Sequence, residues 1–231
     1  MEKLILDMIM KEKSLNKMIK GIIFDLDGTI LDTLDDLFYS TNYALEQYNL
    51  KIRSYEEIRS FVGNGVRVLI EKAVGVNYQH LVEDVLKTFK THYQAHSFDH
   101  IRYYKYIEDV LKELNKQEIK LSVVTNKFDA AAQEIINKYF PNIFDVVLGE
   151  TKELNRKPHP DMCNYVLNKL GLKNSEVIYI GDSEVDLETA KNANLKCISC
   201  SWGFRTKDEL LSSGANVIID NPLEILKMIK K

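Results

Sequence analysis

Six short apolar runs rich in β-branched residues, IKGIIF, IKLSVV, FDVVL, EVIYI, LKCIS and ANVII, are spaced along the 231-residue chain. Between most of them lie stretches such as IEDVLKELNK, AAQEIINKYF, DMCNYVLNKLG and DLETAKNAN, whose apolar residues recur three and four apart. The first pattern suits strands and the second amphipathic helices. Strands alternating with helices build a parallel sheet covered on both faces, so the expected fold class is α/β. One interval breaks the rhythm. About a hundred residues separate Asp25, at the end of the first run, from Thr125 in the second, whereas a strand-helix-strand unit needs only about thirty. The first connection therefore holds an insert.

That insert predicts helices and no strand. Leu34, Leu37, Phe38, Thr41, Leu45 and Tyr48 fall on one stripe, and Val82, Val85, Leu86, Phe89 and Tyr93 on another, as on the apolar face of an amphipathic helix. Between them FVGNGVRVLI interrupts the helices with two glycines around Asn64. The expected organisation is a core of residues 18–32 and 104–231, a helical cap of residues 33–103, and an N-terminal extension over residues 1–17, with Met18 a second candidate start.

A net charge of −3 argues against a general nucleic-acid or anionic-membrane binder, since such proteins carry a basic excess. No apolar stretch is long enough to cross a bilayer. The opening MEKLILDMIMKEKSLNK has Asp7 within its apolar part and no small-residue cleavage site, so it does not read as a signal peptide. The expected location is the cytoplasm. Cys163, Cys197 and Cys200 are too few for a disulfide scaffold. Cys197 and Cys200 have C-x-x-C spacing, but on a strand positions three apart face opposite ways.

Three apolar runs end in polar residues: Asp25, then Thr125 and Asn126, then Asp182. In an open parallel sheet the carboxyl ends of the strands share one edge, where ligands bind. The segment RKPHPDM adds Lys157, its loop restricted by Pro158 and Pro160. Asp25, Asp27, Asp182 and Asp186 then meet a hydroxyl, an amide and a lysine. Carboxylates without clustered Cys or His favour a hard cation, and a site that also holds phosphate favours Mg²⁺. Lys157, the metal and Thr125 would neutralise a phosphoryl group. Asp25 is then free to act as a nucleophile forming an aspartyl-phosphate, and Asp27 is placed to protonate the leaving oxygen and later deprotonate water. Gly28 would allow a sharp turn and expose N–H groups to phosphate. In the insert, Gly63, Asn64, Gly65 and Arg67 would contribute selectivity.

Four ordered motifs, DLDGT (Asp25 to Thr29), TN (Thr125, Asn126), KPHP (Lys157 to Pro160) and GDSEVD (Gly181 to Asp186), resemble those of the haloacid dehalogenase-like phosphatases. The resemblance runs from Met18 through nearly the whole chain. It implies a Rossmann-like core with an α-helical cap, Mg²⁺, and an Asp25 phosphoenzyme with Asp27 as acid and base. It further implies metal ligation by Asp25, the main-chain oxygen of Asp27 and Asp182, with Asp186 acting through water or a hydrogen bond. Within the family, FVGNGVRVLI, VVTNK and SWGFRTKDEL are similar to phosphoglycolate phosphatases. Where those proteins have a proline and a glycine before the helix returning from the cap, this chain has Lys105 and Tyr106.

The leading expectation is a Mg²⁺-dependent phosphatase of small phosphate esters, phosphoglycolate first, acting as a monomer or homodimer without nucleic-acid or membrane partners. Pyrophosphate, a nucleoside monophosphate or a sugar phosphate are the runner-up substrates, the last with mutase chemistry. A phospho-acceptor signalling module would use a similar acidic cluster but need neither Asp27 nor a cap. Two further features have bland readings. His92, His96 and His100 recur at metal-ligand spacing, which a solvated helix face also explains. Arg67 either grips a substrate carboxylate or is an exposed helix arginine.

Overall fold

The computed structural model describes residues 19–229. Residues 1–17, expected to form an extension, lie outside that range. Six parallel strands form the central sheet: β1 (Gly21–Phe24), β4 (Lys120–Phe128), β5 (Val146–Glu150), β6 (Val177–Gly181), β7 (Lys196–Cys200) and β8 (Ile218–Ile219). Their spatial order is β5-β4-β1-β6-β7-β8. Counted among the parallel strands alone, this is the doubly wound order of dinucleotide-binding folds, with its switch point at β1. Register is set by alternation. Ile22, Phe24, Val123, Ile178 and Ile180 pack into one apolar cluster, while Ile23, Val124, Val177 and Tyr179 pack into the other. A slip of one residue would exchange the two sets of side chains.

Helices cover both faces. On the first lie α5 (Ile107–Lys116), α6 (Asp129–Tyr139) and α10 (Leu223–Ile229), through Ile107, Val110, Leu114, Ile135 and Ile225. On the second lie α7 (Asp161–Leu170) and α8 (Glu184–Asn192), through Met162, Val166 and Ala190. Cys200 belongs to the first cluster and Cys197 packs against the second, so the two thiols face apart as strand geometry requires.

The long connection after β1 carries α1 (Leu34–Glu46), α2 (Tyr55–Phe61), α3 (Gly65–Val74) and α4 (Val82–His96) around a third apolar cluster. Both expected stripes supply it: Leu34, Leu37 and Leu45 from α1, and Val82, Val85, Leu86, Phe89 and Tyr93 from α4 are buried. Each such side chain contributes roughly 1.5–3 kcal/mol on burial. One element differs from expectation. Leu31–Asp32 (β2) pairs antiparallel with Arg102–Tyr103 (β3), forming a two-stranded ribbon where the insert joins the core. Two residues per strand are too few to show a period of two in sequence. A further helix, α9 (Lys207–Ser212), follows β7 and starts at a reciprocal Thr206–Glu209 capping box.

Candidate active site

Asp25 follows directly on β1 and remains tied to its neighbour, its N–H donating to the Ile180 carbonyl at 2.9 Å. The chain then turns at Gly28, whose φ is +87°. A Cβ at this position would lie 2.3 Å from Asp182 Oδ2, so glycine is needed for the approach as well as the turn. The sharp turn expected at Gly28 is present, and the Gly28 N–H closes it by donating to the Leu31 carbonyl at 2.8 Å.

The ends of β1 and β6 bring Asp25, Asp182 and Asp186 together, with one oxygen of each within 4.8 Å of the others. All three are buried. Asp182 Oδ1 accepts from Thr29 Oγ1 at 3.0 Å, and Oδ2 from the Phe204 N–H at 2.7 Å. Asp186 is the third residue of α8, where its Oδ2 accepts from the Asp182 and Ser183 N–H groups and, at 2.6 Å, from Ser183 Oγ. It is thus both a helix cap and a site acid. Lys157, 2 % exposed, bridges the cluster: its Nζ lies 2.9 Å from Asp25 Oδ1, 2.8 Å from Asp186 Oδ1 and 3.0 Å from the Tyr179 hydroxyl.

Crowding acids away from water has the expected electrostatic result. Burial pushes the Asp25 carboxyl up to about 7, with Lys157 pulling it back and Asp186 adding to the rise. Burial also drives Asp182 well above the usual carboxylate range, and the charges of Asp186 and Asp25 add to this. For Asp186, burial acts upward but is outweighed by the charge and hydrogen bond of Lys157, so it is held low. Oxygen donors alone, in mutual repulsion and without sulfur or imidazole, fit a hard divalent cation.

At the end of β4, Thr125 and Asn126 are buried beside the cluster. Asn126 Nδ2 donates to the carbonyls of Gly63 at 3.0 Å and Lys157 at 3.1 Å, while its buried Oδ1 has no partner among the described residues. The next residue, Lys127, had no role in the sequence reading. Its Nζ lies 3.0 Å from Asp27 Oδ1 and 2.7 Å from the hydroxyl of Tyr93 on α4. Thr33 Oγ1 donates to the same Asp27 oxygen at 2.7 Å. Alternation along β4 is a signal that could have found Lys127, since residues two apart share a face and Lys127 is two beyond Thr125.

The helical insert lies over this edge and encloses a cavity of about 350 Å³. Asp25, Asp27, Thr125, Asn126 and Lys127 line it from the core, and Val62, Gly63, Gly65, Val66 and Phe89 from the insert. Arg205, quoted within SWGFRTKDEL but given no role there, holds the two parts together: its guanidinium donates to the carbonyls of Arg59 at 3.1 Å and Val62 at 2.8 Å while pairing with Glu184 at 2.8 Å. Arg67 is not part of the cavity lining. It forms a bidentate pair with Glu83, at 2.7 and 3.0 Å, on the exposed face of the insert. Asn64 is half-buried and does not line the cavity either. The spaced histidines have separate partners, His92 with Ser40, His96 with Asp99 and His100 with Asp36. Among the described residues, the acid trio is the cluster with metal-ligand spacing.

Residues 22–200 match the sequence model of the haloacid dehalogenase-like hydrolase family. A phosphoglycolate phosphatase of Vibrio parahaemolyticus is 30% identical over 221 residues, covering 91% of this chain and 96% of that one. One from Colwellia psychrerythraea is 28% identical over 218 residues with the same coverage. Two solved structures, of proteins provisionally assigned as phosphoglycolate phosphatases from Lactobacillus delbrueckii and Haemophilus somnus, superpose with TM-scores of 0.86 and 0.85 at 35% and 29% identity. Each covers 92% of this chain and 98% of its own.

Proposed function

Because the chain belongs to the haloacid dehalogenase-like hydrolases, we propose that it is a Mg²⁺-dependent phosphatase of small phosphomonoesters, with phosphoglycolate the leading substrate. The observation that carries this reading is the buried meeting of Asp25 with Asp182, Asp186 and Lys157, at a point where Asp25 also lines, with Asp27, the cavity beneath the insert. The names of the similar proteins support a two-carbon acid as the alcohol part of the ester.

In this mechanism a carboxylate oxygen of Asp25 attacks phosphorus and the bond from phosphorus to the ester oxygen breaks, leaving an aspartyl-phosphate. Asp27 gives its proton to the departing oxygen, then recovers one from the water that attacks the aspartyl-phosphate, and inorganic phosphate leaves. Lys157, fixed by Asp186 and Tyr179, keeps positive charge beside the nucleophile as charge builds on the phosphoryl oxygens. The Thr125 hydroxyl is presented to the same oxygens, whereas the Asn126 side-chain amide is spent on the Gly63 and Lys157 carbonyls and ties the insert to the core. Asp25, Asp182 and the Asp27 main-chain oxygen would hold Mg²⁺, with Asp186 orienting its neighbours, and the ion would neutralise phosphoryl charge. Residues 33–103 act as the cap, with Gly63 and Gly65 at the cavity wall, and exclude bulk water during attack. The expected setting is the cytoplasm, with a small phosphate ester as the sole partner of a monomer or homodimer.

The test is phosphate release from a panel of phosphoglycolate, pyrophosphate, nucleoside monophosphates and sugar phosphates, with Mg²⁺ present and absent. We expect Mg²⁺-dependent turnover, highest in kcat/KM for phosphoglycolate. No release from any ester would overturn the phosphatase reading, and a different best substrate would overturn only the choice of phosphoglycolate.

A further inference from the structure

We propose that Lys127 is a positioning residue for Asp27 and that Tyr93, from the helical insert, sets its place. The inference rests on the proton-transfer role given to Asp27 above. Lys127 Nζ meets both oxygens of that carboxylate, at 3.0 and 3.3 Å, and Thr33 Oγ1 meets Oδ1 at 2.7 Å. Contacts on both oxygens fix the plane of the carboxylate and not only its distance. The side chains are sheltered, Lys127 being 6% and Asp27 14% exposed, so the interaction is weakly screened.

The third partner of the ammonium comes from the other body of the molecule. Tyr93 packs in the apolar cluster of the insert, stacked on Phe89 with ring centroids 5.3 Å apart, and places its hydroxyl 2.7 Å from Lys127 Nζ. Lys127 belongs to β4 of the sheet. The Tyr93 bond therefore exists only while the insert is seated on the sheet, and it ties that seating to the orientation of Asp27. The arrangement also has a chemical consequence. As the Asp27 proton moves to the leaving oxygen, negative charge grows on a carboxylate already facing the ammonium, and a preorganised cation favours that change. Lys157 serves a different group, since its contacts are to Asp25 and Asp186.

Leaving-group dependence separates this role from a structural one. An alkyl ester needs a proton on its departing oxygen, whereas 4-nitrophenolate leaves well without one. The value of kcat/KM covers only the steps through expulsion of the leaving group. For Lys127→Met we expect kcat/KM to fall roughly 100-fold with phosphoglycolate and less than about threefold with 4-nitrophenyl phosphate. Tyr93→Phe removes a single oxygen and keeps the ring packing, so it is informative even if Lys127→Met does not fold; its loss should be smaller but show the same selectivity. Equal losses on both esters, or wild-type values for both, would overturn the proposal. A selective Lys127→Met with an unaffected Tyr93→Phe would overturn the part assigned to the insert. If phosphoglycolate is not turned over by the wild-type chain, the best alkyl ester of the panel takes its place in the comparison, and only failure on every ester would sink the phosphatase reading itself.

Discussion

Lys157 is the cation on which the acid cluster depends. It is buried with contacts to two carboxylates, so replacing it with methionine leaves Asp25 and Asp186 facing each other in a dry environment. Removing one member of a buried ionic pair costs about 3–5 kcal/mol. Lys157→Met is therefore expected to lower the unfolding free energy from urea titration by that order, seen as a lower midpoint at unchanged slope, as well as to end turnover; an unchanged midpoint would show that its partners do not need it. Asp25→Asn should behave differently. Its burial already disfavours the charged form, and Lys157 keeps Asp186 as a partner, so the fold should persist while kcat drops roughly 10⁴-fold or more. Near wild-type kcat would exclude Asp25 as the nucleophile. The residues at this centre were legible because strand order alone sends the ends of β1, β4 and β6 to one edge. Arg67 was not legible in the same way. The sequence left it either a substrate clamp or an exposed helix arginine, and Glu83 across the insert offers a bidentate partner that holds it outward.

Among the elements, the start of α5 stores strain. Tyr106 caps that helix with φ at +69°, a left-handed conformation that costs a residue with a Cβ roughly 1–2 kcal/mol. The position lies just beyond the β2–β3 ribbon joining insert and core, after Tyr104 and Lys105. Tyr106→Gly removes the strain but adds freedom to the unfolded chain, while Tyr106→Ala keeps the strain and loses the ring over Lys105. Glycine should therefore be the more stable of the two by about 1 kcal/mol, the reverse of the usual order in helices. Thermal unfolding of both variants checks this, and an alanine variant as stable as the glycine one would remove the claim of strain. The helices of the insert could be read from their stripes because burial follows a period of 3.6 over several turns. The ribbon could not, since its pairing is set by where the insert leaves and re-enters the core. Asp186 divides two tasks between its oxygens: Oδ1 faces Lys157 and Oδ2 caps α8.

At the scale of the whole molecule, insert and core are joined by polar contacts that no local pattern announces. Arg205 reaches two carbonyls of the insert, Asn126 reaches that of Gly63, and Lys127 reaches Tyr93. Each requires two separately folded clusters to be docked first, which is why strand and helix periodicity reveal the residues' neighbourhoods but not their partners. The acid cluster acts at the same scale, because it lies where the sheet and the insert meet and its charge opposes folding. A cation that binds the native state and not the unfolded chain stabilises by mass action, about 2.7 kcal/mol at a concentration of 100 Kd. The pH dependence follows from which groups hold protons without it. Asp25 is pushed up to about 7, so at pH 6 it is largely protonated and metal binding must displace that proton; burial raises Asp182 in the same direction. At pH 8.5 Asp25 is already ionised and less proton release is needed. Without metal, Asp25 contributes stability that is full below its unfolded value of 3.8 and is lost as pH rises through about 7. The sign is thus opposite for the two forms: over this window the metal-free chain loses stability from Asp25 as pH rises, while the increase in Tm on adding Mg²⁺ grows. Melting curves at pH 6 and 8.5, with Mg²⁺ and with chelator, test both halves, and Asp182→Asn should diminish the Mg²⁺-dependent increase at either pH. A Tm increase that is the same at both pH values, or larger at pH 6, would mean that Mg²⁺ does not compete with protons at these carboxylates.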